Sequence, residues 1–175
     1  MYKMANFSDS YNFNNHDDYY TRKKDWEKII PFIPPNKIIW EFCLLNSNEQ
    51  SKKNLKELGL NVIGNNTINF LEDNSEEEEA DILVSNIPFS TEIKKNILKK
   101  LVLLDKPFII IMNSLSLYSK YFKEIFKNTD IKLIIPSYKI HYDKYINGVL
   151  QPPRNITSFY SIYVCYKVIN KNVWI

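Results

Sequence analysis

Two segments of the sequence carry residue types able to do chemistry, and each closes an apolar run. The first is Glu41, a carboxylate after Ile38-Ile39-Trp40. The second is Ser85-Asn86-Ile87-Pro88-Phe89, which follows Asp81-Ile82-Leu83-Val84 and precedes Ser90. If both runs are strands, both groups stand at carboxyl ends, where open α/β sheets bind ligands. The plainer reading of the second is a strand end whose Asn caps the turn and whose Phe is core. His141 stands alone and reads as a surface or packing residue rather than a base. Lys94, Lys95, Lys99 and Lys100 read as the solvated face of one helix. Cys43 and Cys165 sit in apolar runs with no Cys-x-x-Cys spacing, so they read as buried and reduced. No His, Cys and Asp grouping has the spacing of metal ligands.

The elements that must hold these residues alternate along the chain. Residues 1 to 18 are polar and read as a flexible arm, and residues 19 to 175 as a single domain. Trp26, Ile29, Ile30 and Ile33 recur at helical spacing over Asp25 to Ile33, stopped by Pro34-Pro35. Lys37 to Leu45 reads as a buried strand. Ser51 to Leu58 reads as a short helix closed by Gly59, and Leu60 to Ile63 as a second strand. Glu72 to Glu79 is an acidic run that reads as a solvated loop. Strand three covers Asp81 to Ser85, and Ser90 N-caps a helix over Thr91 to Leu104. Pro107 to Met112, a helix over Ser116 to Lys127, and Ile131 to Pro136 continue the rhythm. Alternation at these lengths predicts a mostly parallel sheet covered on both faces. Ile140 to Tyr145 and Phe159 to Val168, with a turn at Asn147-Gly148, have no helix between them. They predict a hairpin that adds an antiparallel edge strand.

Composition narrows the function classes. A length of 175 residues allows one real core and hardly two. The net charge of +3 produces no global field toward nucleic acid, so any such contact needs a local patch. No apolar run approaches the ~20 residues of a membrane helix, and residues 1 to 18 lack a secretory h-region. The expectation is a soluble intracellular protein with no membrane partner. Abundant Asn, Lys and Ile reflect AT-rich coding and carry no functional weight.

With its strand before and its helix after, Ser85-Asn86-Ile87-Pro88-Phe89 resembles the Asn-Pro-Pro-Phe/Tyr motif of DNA adenine-N6 methyltransferases. Tyr19-Tyr20-Thr21-Arg22 resembles the family's Tyr-Tyr-Thr-Pro segment, and Ile30-Pro31-Phe32-Ile33-Pro34 follows it. Trp40-Glu41, the run from Leu55 to Gly59, Val62-Ile63-Gly64 and the run from Asp105 to Phe108 come next in family order. The runs from Lys139 to Tyr145 and from Tyr163 to Tyr166 complete it. The likeness spans residues 19 to 168 and is nearest to the small, domain-only enzymes of phages and giant viruses. It implies a Rossmann-like class I methyltransferase fold with an antiparallel C-terminal hairpin strand. It implies S-adenosylmethionine as cofactor and a flipped adenine as target. Asn86 and the Ile87 carbonyl would accept the two N6 hydrogens, Pro88 would shape the turn, and Phe89 would stack on the base. Tyr20, Thr21, Glu41, Asn65 and Asn66 would line the cofactor site. Lys139, Lys144 and Arg154 flank the cleft and would suit phosphates of DNA, or of RNA. A host cytoplasm or viral factory would be the compartment.

The departures gather on the cofactor side. Family members follow the strand-one acid with Pro-Phe-x-Gly-x-Gly, whose glycines let the backbone approach the cofactor. Here the residues from Phe42 to Gln50 contain no Gly. Gly64-Asn65-Asn66 brings amides where an acid normally meets the ribose, and Arg22 replaces Pro. Two readings therefore stand. One is an active methyltransferase with an unusual loop. The other is an inactive pseudo-methyltransferase that serves as a nucleic-acid-binding or partner subunit, or as a homo-oligomer. In that reading Leu44, Leu45 and Asn46 project where the cofactor would lie.

Overall fold

Seven strands form the central sheet: β2 (Ile38–Trp40), β3 (Asn61–Ile63), β4 (Ile82–Asn86), β5 (Phe108–Asn113), β6 (Ile131–Ile135), β9 (Ser161–Tyr166) and β10 (Val173–Trp174). Their order is β3-β2-β4-β5-β9-β6-β10, and all run parallel except β9. A second, antiparallel sheet contains β1 (Tyr19–Thr21), β7 (Tyr142–Ile146) and β8 (Val149–Leu150), in the order β1-β7-β8. This is a computed structural model, and it describes residues 19–43, 49–65, 69–72, 79–146, 149–150 and 159–175. The expected arm of residues 1 to 18 lies outside that set, as do the turn at Asn147-Gly148 and most of the acidic run.

The strands are apolar on both sides because both sides are covered. Leu83, Phe108, Ile110, Met112, Ile162 and Val164 enter one core, and Ile82, Val84, Ile109, Ile111, Tyr163 and Cys165 enter the other. The first core is closed by α3 (Thr91–Leu104), through Ile97, Leu98 and Leu101, and by α4 (Lys120–Ile125), through Phe122. The second is closed by α1 (Lys23–Glu27), through Trp26, and by α2 (Gln50–Glu57), through Leu55. Ser90 takes the N-cap position of α3, and Gly59 follows α2 with φ +88, a conformation that favours glycine.

Four expectations need correction. The C-terminal antiparallel strand is not an edge. β9 lies between β5 and β6, and β10 takes the edge instead. Five of its six residues are buried, with Ile162 and Val164 in one core and Tyr163 and Cys165 in the other, as suits a strand paired on both sides. Nor does β9 form a hairpin with the segment near Ile140, because β7 pairs with β1 and β8. The helix expected over Asp25 to Ile33 stops at Glu27, and a 3-10 turn over Ile30–Phe32 follows. Pro31 lacks the amide that would bond the Glu27 carbonyl, and its ring crowds that group. The helix expected from Ser116 is likewise a 3-10 turn over Ser114–Tyr118, then α4. Ser119 accepts a hydrogen bond from the Phe122 amide and so restarts the helix.

Candidate functional site

β2 and β4 are neighbours, with Trp40 opposite Leu83, so Glu41 and Asn86 emerge at adjacent carboxyl ends. Ser85 joins them: its hydroxyl donates to Glu41 Oε1, which also accepts from the Cys43 amide at 3.1 Å. Glu41 Oε2 is buried with no hydrogen-bond partner among the described residues. Burial pushes the Glu41 carboxyl up to about 7, against the hydrogen bonds of Ser85 and Cys43 and the nearby Ser51 hydroxyl. The same burial, and then the Glu41 charge, push the Cys43 thiol up, so it is no nucleophile.

Asn86 is buried and oriented by the chain's first strand. Its Nδ2 donates to the Tyr19 carbonyl at 3.0 Å. A carbonyl only accepts, so the NH₂ must face Tyr19 and Oδ1 must turn the other way. Oδ1 is buried and has no partner among the described residues. Asn54 on α2 supports the same strand, with Nδ2 donating to the Thr21 carbonyl at 3.2 Å. Thr21 Oγ1 is a third buried group without a partner there. Three acceptor-capable groups near one sheet edge are thus short of donors, and each costs roughly 1–3 kcal/mol if it stays so. Ile87 and Pro88 are buried at the turn after β4. Phe89 is half-buried and packs on Tyr19 at 5.7 Å, Tyr142 at 5.8 Å and Phe159 at 4.7 Å between ring centroids.

The remaining expected site residues are more scattered. Tyr20 and Asn65 are half-buried, and Asn66, Arg154, Leu44, Leu45 and Asn46 lie outside the described residues. The Gly64 carbonyl at the end of β3 accepts from Lys52 Nζ, and Lys52 also pairs with Glu49 at 3.4 Å. A cation paired with Glu49 therefore stands at the carboxyl end of β3. Lys139 and Lys144 are half-buried, with Nζ 5.7 Å over the Tyr160 ring and 5.3 Å over the Tyr19 ring. His141 is exposed, and partial burial and then the Lys24, Arg22 and Lys139 charges hold its pKa below the usual range.

One expectation here is overturned. Lys94 does not belong to a solvated helix face: it is 4% exposed, and its Nζ donates to Ser116 Oγ at 3.3 Å. Ser116, in the 3-10 turn after β5, meets Lys94, a contact that periodicity within α3 cannot reveal. Sequence reasoning also passed over Ser85, Asn54 and Tyr142 as parts of the site. A serine inside an otherwise apolar strand was the one available signal for Ser85; the others depend on crossings between distant segments.

No protein-family profile and no curated protein sequence matches this chain. The site must be judged on its own chemistry.

Proposed function

We propose that the chain is an adenine-N6 methyltransferase-type protein, acting on an amino nitrogen of a nucleic-acid base presented to Asn86. The observation that carries this reading is the carboxamide at the end of β4. Its NH₂ is anchored on Tyr19, its Oδ1 has no donor among the described residues, and an aromatic ring stands three residues on. A base amino group supplies the missing donor, and Phe89 supplies a flat apolar face for the ring. Asn86 Oδ1 and the Ile87 carbonyl would take the two amino hydrogens and leave the nitrogen lone pair directed at the methyl donor. The mostly parallel sheet, with helices on both faces, is compatible with a Rossmann-like fold.

S-Adenosylmethionine, when bound, supplies an electrophilic methyl group on a sulfonium cation. Glu41 fits a cationic ligand, since its buried Oε2 has no well-formed hydrogen bond among the described residues. Lys52 on the Gly64 carbonyl fits the ribose end poorly. That contrast, with Asn86 at only 7% exposure, favours a second reading in which the amide site persists without transfer.

Transfer of a labelled methyl group from S-adenosylmethionine to adenine-containing DNA tests the proposal. Incorporation is expected for the wild type and should vanish in Asn86→Ala. Ser85→Ala should retain part of it. If the wild type incorporates nothing while binding the cofactor, the second reading takes over.

A further inference from the structure

We propose that the rim beside Asn86, built from Leu115, Tyr118, Tyr160, Lys139 and Lys144, seats an unpaired nucleic-acid strand. Bases stack on Tyr160 and Tyr118, and phosphates lie against the two lysines. The inference deepens the reading above and rests on it for the choice of a nucleic-acid partner.

The rim follows from the strand register. Asn113 ends β5 opposite Ser161, and the Ser114 amide donates to the Tyr160 carbonyl at 2.9 Å. The turn carrying Leu115 and Tyr118 therefore begins beside Tyr160. Phe159, next to Tyr160 in the chain, packs on Phe89 at 4.7 Å. The exposed rings thus begin one residue from the aromatic cluster beside Asn86. Tyr118 is 79% exposed, Tyr160 66% and Leu115 66%.

The chemistry of that surface selects the occupant. Lys139 Nζ lies 5.7 Å over the Tyr160 ring, and Lys144 Nζ lies 5.3 Å over Tyr19 on the other side of Phe89. A ring with a cation beside it matches one nucleotide, whose base offers a π face and whose phosphate offers a charge. Open base faces exist only in unpaired strands, since a duplex hides them in its own stack.

Fluorescence anisotropy of a labelled oligothymidine on the full-length chain tests this. Oligothymidine has stackable bases and phosphates but no amino group. Saturable binding that weakens with salt is expected, and a duplex of equal length should bind less well. Tyr160→Ala should weaken binding by about fivefold to a hundredfold, the usual worth of one base–aromatic stack. Tyr118→Ala should act in the same direction, and Tyr160→Phe should bind like the wild type. Lys139→Ala should lower the slope of log affinity on log salt by about 0.7. Both tyrosines are exposed, so the variants should melt with the wild type; a lost fold would show there and would be judged on Tyr118→Ala instead. No saturable binding, or binding indifferent to both tyrosine truncations, overturns the proposal. So does a duplex that binds as well as the single strand. Failure with oligothymidine leaves the Asn86 assignment standing, whereas absent methyl transfer with oligothymidine still bound removes the transferase reading and keeps the rim.

Discussion

Asp25 and Glu41 are carboxylates taken out of water with too few donors, and both respond by holding their protons. Asp25 is fully buried, and neither oxygen has a well-formed hydrogen bond among the described residues, although the His141 amide faces it. Burial raises its pKa to about 6, against the charges of Lys24, Arg22 and Lys28. A carboxyl held above its unfolded value favours the folded state while protonated, and that advantage is lost as pH rises toward the folded value. The loss should run from roughly pH 4 to 6 for Asp25 and to about 7 for Glu41. Melting the wild type and Asp25→Asn from pH 4 to 8 checks it. The variant should gain on the wild type with rising pH, and parallel curves would refute the assignment. Glu41 adds a linked effect on ligand binding. Affinity for a cationic ligand should rise with pH by up to about tenfold per unit and level off above about 7, with Glu41→Gln flat throughout. Phe89→Ala touches three rings, so its cost should be about 2–4 kcal/mol, somewhat below a full core truncation. Denaturant melts give that number, and a neutral result would mean that the cluster is not packed in solution.

At the scale of elements, β1 is the piece that completes the site. Its three residues pair with β7, and its carbonyls receive Asn86 and Asn54. Arg22 pairs with Asp143 at 2.8 Å just beyond it. So short a strand has little stability of its own, and the side-chain amides hold it in register. Asn54→Leu should cost about 1–3 kcal/mol by leaving the Thr21 carbonyl without a donor. It should also speed amide exchange in β1 and β7 ahead of β5. Uniform exchange across both sheets would show that β1 needs no such support. Gly59 tests the end of α2 separately. A Cβ there meets nothing within 4 Å, so Gly59→Ala carries only the strain of φ +88, about 1–2 kcal/mol by urea titration.

For the whole molecule, one sheet edge gathers Glu41, Asn86, the aromatic cluster and the rim of exposed tyrosines. No helix among the described residues is long and apolar enough to cross a membrane. The expected affinity for S-adenosylmethionine is weak, because residues 42 to 50 lack glycine and Lys52 occupies the Gly64 carbonyl. Two or three missing hydrogen bonds at about 1–3 kcal/mol each are enough to remove micromolar binding. Calorimetry on the wild type decides it, and a micromolar dissociation constant would show the loop is no obstacle.

Local pattern made much of this legible in advance. Thr91 to Leu104 reads as a helix from its spacing alone, and the apolar runs of β4 and β5 read as strands buried on both faces. The placement of Glu41 and Asn86 at carboxyl ends follows from β/α alternation, while their adjacency depends on β4 crossing back past β3 to lie beside β2. Pairing between distant segments was not legible. β1 against β7 joins residues more than a hundred positions apart, and β9 enters between β5 and β6 although its pattern also suits an edge. Lys94 looked solvated because its own helix gives no sign of the turn whose Ser116 meets it. Which polar atoms end without partners depends on the same crossings. Residue types and spacing determined the candidate carboxylate and amide, while only tertiary packing decided which lone pairs face a donor and which still wait for one.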